Sequence, residues 1–112
     1  MEIIRGDDAD FELTFKDIDG NPIDLTGATV FFTVKRHKTD SDTSAVLKKE
    51  ITTFTLPLTG VALLELTDTE TDLTPGSYYF DVQLKDTIGK ITSSYSGRLL
   101  VFQDITTRTD IS

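Results

Sequence analysis

The stretch "KDIDGNPIDLTGATV", residues 16–30, joins two segments of alternating apolar residues and carries three aspartates, one asparagine and two glycines. Asp and Asn side chains bond to nearby backbone, and glycine allows positive φ, so residues 17–22 predict a turn. The competing interpretation is a calcium loop, which places glycine at its sixth position and glutamate at its twelfth. Counted from Asp17, Gly20 falls at the fourth position and Ala28 at the twelfth. The turn is therefore the preferred interpretation, and a calcium site at Asp17, Asp19 and Asn21 is the lesser alternative.

The segments on both sides of this turn have a period of two. Successive side chains of a strand point to opposite faces, so such a pattern buries one face and exposes the other to water. Most of these segments are also rich in β-branched and aromatic residues. The alternation therefore predicts an all-β protein with these core residues: Phe11, Leu13, Phe15, Ala28, Val30, Phe32, Val34, Ala62, Leu64, Leu66, Tyr78, Phe80, Val82, Leu84, Leu99 and Val101.

Seven strands are expected, and turn residues separate most of them. Residues 44–50 fit either a strand or a short helix, and Ala45, Leu47 and Ile51 favour the strand. The segment from Asp68 to Leu73 has a cap-like start and predicts at most a single helical turn. The predicted strands lie near 2–5, 9–17, 27–37, 44–52, 60–67, 76–86 and 90–102.

Seven short strands in about one hundred residues are typical of an immunoglobulin-like β-sandwich, here predicted to be antiparallel. The cysteine pair and the tryptophan of antibody domains are missing, and a small barrel is the alternative. Residues 1–103 are predicted to form this domain. Residues 104–112 are polar and without pattern, which predicts a C-terminal tail or the start of a linker.

Composition limits the class of protein. The 112 residues are enough for one domain, and a net charge of -8 disfavours binding to nucleic acid or to an anionic membrane. The chain has no cysteine, which excludes disulfides and thiolate metal sites. The N-terminus lacks the pattern of a signal peptide, and the longest apolar run is Val61 to Leu64. We expect neither a nucleic-acid nor a membrane partner.

Two short motifs near the N-terminus have simple structural explanations. Arg5-Gly6-Asp7 spells a cell-attachment tripeptide, but a bend at Gly6 between two strands accounts for the glycine. Asp7, Asp8 and Asp10 are a second possible metal cluster, although a strand would direct their side chains to different faces. We assign a function to neither motif.

No pattern of catalytic residues is found in the sequence. His37 is the only histidine and lies in a basic cluster at the end of a strand, where solvent exposure or an interface contact is expected. Ser93, Ser94 and Ser96 lie in a predicted strand and not in a nucleophile elbow. We therefore expect a protein without enzymatic activity, cofactor or metal.

The three tyrosines indicate a possible sugar-binding patch. Tyr78 has the parity of the core, so packing is expected there, whereas Tyr79 has the opposite parity and is expected at the surface. Tyr95 is the third. A carbohydrate-binding or host-adhesion module is therefore the alternative function.

The order of turns and strands is more specific than any of these motifs. The following stretches succeed one another along the chain: Arg5-Gly6-Asp7, Asp19 to Ala28, Gly60-Val61, Thr69 to Thr71, Leu73 to Val82, Gly97 to Val101, and Asp104 to Thr106. This order resembles the small immunoglobulin-like domains of tailed-phage and prophage structural proteins, in particular the N-terminal domain of the baseplate upper protein family. The likeness covers about residues 3–106 and rests on residues that shape the fold.

The resemblance implies a non-enzymatic virion protein of the tail, baseplate or capsid surface, assembled in the host cytoplasm. Its partners would be other virion proteins, and a homo-oligomer is expected. The N-terminal strand and residues 103–112 are the expected contact segments. A small bacterial regulator or inhibitor of a host enzyme is a third possibility, indicated only by the acidic charge.

Overall fold

The structure is a computed structural model that describes residues 1–37 and 45–103, and of residues 92 and 93 the backbone alone. It confirms the all-β class, and each predicted strand is present within three residues of its expected bounds. Of the described part of residues 44–50, the last four residues lie in a strand, as the alternation of apolar residues favoured. The strands are β1 (Glu2–Ile4), β2 (Ala9–Thr14), β3 (Thr29–Lys35), β4 (Leu47–Ile51), β5 (Val61–Leu66), β6 (Gly76–Lys85) and β7 (Ile91–Phe102), and Pro57–Thr59 forms a 3-10 helix.

The strands form two sheets. One has five strands in the order β1-β7-β6-β3-β4, and the other pairs β2 with β5. The prediction that all strands are antiparallel was wrong for β1, which pairs in parallel with β7, as Ile3 lies opposite Val101. The reason is that the chain leaves β1 for the other sheet, so β1 has no hairpin partner to reverse its direction.

The core lies between the two sheets and follows the predicted parity. Val30, Phe32 and Val34 of β3 are completely buried, as are Ala62 and Leu64 of β5. Phe11 and Phe80 are only partly buried and pack against this cluster. Burial of each large side chain contributes on the order of 2 kcal/mol, so the alternating residues dominate the stability of the fold.

Two turns of the same design lie at one end of the molecule. In the first, the Asp17 Oδ1 accepts hydrogen bonds from the backbone N–H groups of Asp19 and Asn21, at 3.0 and 2.9 Å. Gly20 has φ of 84°, which glycine adopts without strain. In the second turn Asp86 accepts in the same way from Ile88 and Lys90. The aspartate-rich stretch at residues 17–22 is therefore a turn, and its exit leads through buried Leu25 into β3.

The segment between β5 and β6 begins with a reciprocal pair of caps. The Thr67 Oγ1 accepts from the Glu70 N–H at 3.2 Å, and the Glu70 Oε1 accepts from the Thr67 N–H at 3.0 Å. This is a capping box. The chain makes one hydrogen-bonded turn, in which the Thr71 N–H donates to the Thr67 carbonyl, but no helix follows. The cap residue is Thr67, one position before the predicted start.

Tyr78, near the start of β6, packs at the end of the segment between β5 and β6. Its ring is 3% exposed, and its hydroxyl donates to the Thr74 carbonyl at 2.6 Å. The Arg36 guanidinium lies 5.5 Å from the centre of the ring. The predicted core position of Tyr78 is confirmed. Among the described residues, no helix has the length and apolar character needed to cross a membrane.

Candidate functional site

The outer face of the five-stranded sheet combines aromatic and basic side chains. Its members have the parity opposite to the core, so they point away from the small sheet. Strand pairing places Arg98 of β7, Tyr79 of β6 and Lys35 of β3 in one row across the sheet. We call this surface the basic face; it comprises Phe31, Thr33, Lys35, Lys48, Glu50, Tyr79, Asp81, Gln83, Lys85, Ser94, Ser96 and Arg98.

The first row encloses the larger of two clefts on the basic face. The Arg98 guanidinium carbon lies 5.9 Å from the centre of the Tyr79 ring, a distance at which a cation is attracted to the ring. Lys35, Asp81 and Ser96 complete a cleft of about 620 Å³. Gly97 also lines this cleft. It lies opposite Phe80 at a position of core parity, where a side chain would meet the Phe80 ring at 2.8 Å. The cleft thus places the Tyr79 ring beside both cationic and anionic groups.

A second cleft lies further along the same face. Here the Lys85 Nζ lies 5.9 Å from the centre of the Phe31 ring, again within reach of a cation–π contact. Lys48 and Glu50 of the edge strand β4 and Gln83 of β6 line this cleft of about 310 Å³. The aromatic and basic character therefore extends over β7, β6, β3 and β4.

Charge is unevenly distributed over the molecule. The outward positions of the five-stranded sheet hold four basic side chains and three acidic ones: Lys35, Lys48, Lys85 and Arg98, with Glu2, Glu50 and Asp81. The other described residues carry twelve acidic and five basic side chains. The acidic net charge of the chain is thus concentrated away from the basic face.

The outer face of the small sheet has the opposite character. Asp10 of β2 lies directly opposite Glu65 of β5, and Glu12 lies opposite Leu63. The segment from β4 to β5 runs beside this face and forms with it a groove of about 400 Å³. Leu56 is 64% exposed and Leu63 is 47% exposed. We call this surface the acidic groove; it comprises Asp10, Glu12, Phe54, Leu56, Val61, Leu63 and Glu65.

No protein-family model and no curated protein sequence matches the chain.

The tyrosines of the sequence do not form one patch. Tyr79 lies on the basic face and is half-buried, whereas Tyr78 lies in the core. Tyr95 points to the inner side and is 38% exposed, with its ring centre 6.1 Å from that of Phe15. Burial raises the pKa of the Tyr95 hydroxyl. Of the three tyrosines, Tyr79 is therefore the one that lies on the basic face.

The attachment-like tripeptide forms the turn from β1 to β2. Gly6 has φ of 81°, and the Arg5 Nε donates to the Asp72 Oδ1 at 2.8 Å. The Thr71 hydroxyl donates to the Asp7 carbonyl at 2.7 Å. The expected bend at Gly6 is present, and the Arg5 side chain holds the neighbouring segment.

The other predicted sites are distributed over several parts of the fold. His37 lies exposed after β3, and Ser94 and Ser96 lie in β7. Within residues 1–37 and 45–103, no three His, Asp or Glu side chains are grouped so that they could hold a metal ion. Residues 38–44, which connect the strands predicted at 27–37 and 44–52, and the predicted tail at 104–112 lie outside the described residues.

Among the described residues, two carboxylates have a pKa shifted from its ordinary value, and both make structural contacts. Burial alone would raise the pKa of Glu70, but Lys49, whose Nζ lies 2.8 Å from the Glu70 Oε1, and the hydrogen bonds with Thr67 lower it overall. The Thr26 hydroxyl and N–H lower the pKa of Asp24 by bonding to its carboxylate. Glu70 and Lys49 connect the turn after β5 to the edge of the large sheet.

The sequence patterns did not reveal the two opposing surfaces. The prediction that Tyr79 points away from the core was correct, and Lys35 and Arg98 also occupy outward positions of their strands. Their alignment in one row depends on strand order, which alternation alone does not encode. The available signal was the outward parity of the basic residues in β3, β4, β6 and β7.

Proposed function

We propose that this chain is a non-enzymatic structural protein of a tailed-phage or prophage virion and acts by binding neighbouring proteins. The observation that carries the proposal is the pairing of partly or largely exposed apolar side chains with charged ones on two separate surfaces. Exposed apolar groups with a polar rim are typical of protein-binding sites. The resemblance of residues 3–106 to phage structural domains supports the location in a virion.

The proposed fold family is immunoglobulin-like. Strands β4, β3, β6 and β7 correspond to the C′, C, F and G strands of a variable-type domain, and β2 and β5 to B and E. The Tyr78 hydroxyl bonds to a carbonyl four residues upstream, at the start of the strand that corresponds to F. This matches the tyrosine corner of such domains. Strand order and corner together support the proposal better than strand number alone.

The edges of the large sheet are consistent with controlled assembly. β1 is only three residues long, and the exposed Ile4 and Phe102 lie side by side at its end. The other edge strand, β4, carries Lys48 and Lys49, and charged residues discourage unspecific edge pairing. We therefore propose contacts through the faces and the β1 end, with a homo-oligomer in the particle.

The proposal can be tested on assembled particles. The strain that carries the gene is induced for phage production, and particles are purified on a density gradient. We expect this chain to sediment with the particles in multiple copies, as measured by quantitative mass spectrometry. If complete particles form while the chain stays in the soluble fraction, the proposal is overturned.

A carbohydrate-binding or host-adhesion module is the second candidate, and the Tyr79 cleft is the observation that favours it. An aromatic ring beside Arg98 and Asp81 provides both stacking and hydrogen bonding. A glycan array with the wild type and Tyr79→Ala tests this function, with Tyr95→Ala as the control. Specific binding that is lost only in Tyr79→Ala would establish the second function.

A further inference from the structure

We propose that copies of this chain bind one another head to tail, with the basic face of one copy on the acidic groove of the next. The inference rests on the proposed structural function and names the partner as a second copy. It comes from the opposite charge and matching apolar content of the two surfaces, which belong to different sheets of the fold.

The basic face supplies cations over a wide area. Arg98 lies on β7, Lys35 on β3 and Lys48 on β4. Three strand spacings, about 14 Å, separate β7 from β4. Arg98 and Lys85 lie near aromatic rings, which restricts the arrangement of their side chains. Cations held in this way lose little freedom on binding a carboxylate.

The acidic groove has unfavourable electrostatics in the single chain. Asp10 and Glu65 face each other across two paired strands, and like charges at such positions are destabilising. Glu12 adds a third carboxylate on the same side of β2. None of the outward positions of β2 and β5 holds a basic residue. Cations from a neighbouring copy would relieve this repulsion.

The apolar content of the surfaces also matches. The groove exposes Leu56 and Leu63, with Phe54 and Val61 partly buried beside them. The basic face offers the rings of Phe31 and Tyr79 between its cations. A contact that pairs these groups removes apolar area from water and excludes solvent from the charge pairs, which strengthens them.

The alternative pairing of two basic faces is less favourable. A two-fold axis would bring four cations of one copy towards four of the other, with only two carboxylates, Glu50 and Asp81, on each basic face. The proposed contact joins two different surfaces, so each copy keeps one unused surface. Such heterologous contacts form rings when the rotation closes and filaments when it does not.

The test uses two variants that each retain one surface. Arg98→Glu with Lys48→Glu changes the basic face, and Glu12→Lys with Glu65→Lys changes the acidic groove. Sedimentation velocity at low salt measures the self-association. We expect the mass of the wild-type species to increase with concentration, and the dissociation constant of each variant alone to be about 100-fold higher. In an equimolar mixture, the intact basic face of one variant meets the intact acidic groove of the other, and the two charge-reversed surfaces also complement each other. The mixture should therefore grow in mass again, although neither variant does so alone.

The controls make the same charge changes at the turns. Lys90→Glu and Asp19→Lys should associate like the wild type, because neither residue belongs to the basic face or the acidic groove. A wild type that stays at 12.4 kDa at millimolar concentration would overturn the head-to-tail contact. A dimer that never grows, or a mixture of variants that stays monomeric, would also overturn it. The particle experiment is independent of these results, so a chain present in virions yet monomeric would exclude only the self-contact.

Discussion

The outer faces of the two sheets differ in how their charges are balanced within the chain. On the large sheet, the Arg98 and Lys85 side chains lie over aromatic rings, with Asp81 and Glu50 on the same face. On the small sheet, Asp10 faces Glu65 without a basic residue at any outward position. Removing a charge should therefore weaken the first face and strengthen the second. This difference fits the proposed contact, in which basic side chains of a second copy lie on the small sheet.

The largest effect is expected for Tyr78→Phe, which affects the large sheet. Loss of the hydroxyl leaves the Thr74 carbonyl without its 2.6 Å partner, at a cost of about 1–2 kcal/mol in the free energy of unfolding. Urea unfolding measures this cost. Hydrogen exchange should increase at the start of β6 while the pairing of β2 with β5 keeps its protection. Tyr95→Phe is the control, and an equal loss in both variants would contradict the role of the corner.

Glu70→Gln tests the ion pair that connects the two regions. We expect a loss of about 1 kcal/mol at neutral pH, because the pair with Lys49 is partly buried. The folded-state pKa of Glu70 is lowered from 4.5, so its contribution is present above that pH and is lost as the pH falls through the folded value.

Urea unfolding at pH 7, 5 and 3 follows this dependence. The difference between Glu70→Gln and the wild type should become smaller at the lowest pH. Asp72→Asn breaks the more exposed pair with Arg5 and should cost less at every pH. A difference between Glu70→Gln and the wild type that stays constant with pH would exclude the ion pair as its cause.

Arg98→Ala should weaken the basic face by about 0.5–1 kcal/mol, because the cation–π contact with Tyr79 is lost. Thermal unfolding at low protein concentration measures the effect. Arg98→Lys should retain part of the stability, and Lys90→Ala should be neutral. A loss as large for Lys90→Ala would show that general charge and not the ring contact is responsible.

Glu65→Gln should have the smallest effect and the opposite sign. Relief of the repulsion with Asp10 should raise the free energy of unfolding by about 0.2–1 kcal/mol at low salt. The gain should disappear in 1 M NaCl, where such charges are screened. Asp19→Asn is the matched control. If Glu65→Gln is destabilising, the two faces do not differ in the way described.

Alternation in the sequence predicted the seven strands and most of the core, because one buried face leaves a period-two pattern in each strand. The buried Ile3 and Leu25 were not predicted, and Phe11 and Phe80 are only partly buried. The parallel pairing of β1 was not predicted, since a three-residue strand carries no signal for its partner. The Asp17 turn was predicted from local side-chain chemistry, and the Asp86 turn follows the same logic. The two surfaces needed the strand order, which depends on contacts between residues far apart in the chain.

Zero-length cross-linking between amines and carboxylates tests the head-to-tail contact most directly. A mixture of ¹⁴N- and ¹⁵N-labelled chains distinguishes links between copies from links within one copy. We expect mixed-isotope links from Lys48 or Lys85 to Glu12 or Glu65, which are lost when Glu12 and Glu65 are changed to Gln. Mixed links confined to the basic face, such as Lys48 to Glu50, would contradict the head-to-tail arrangement.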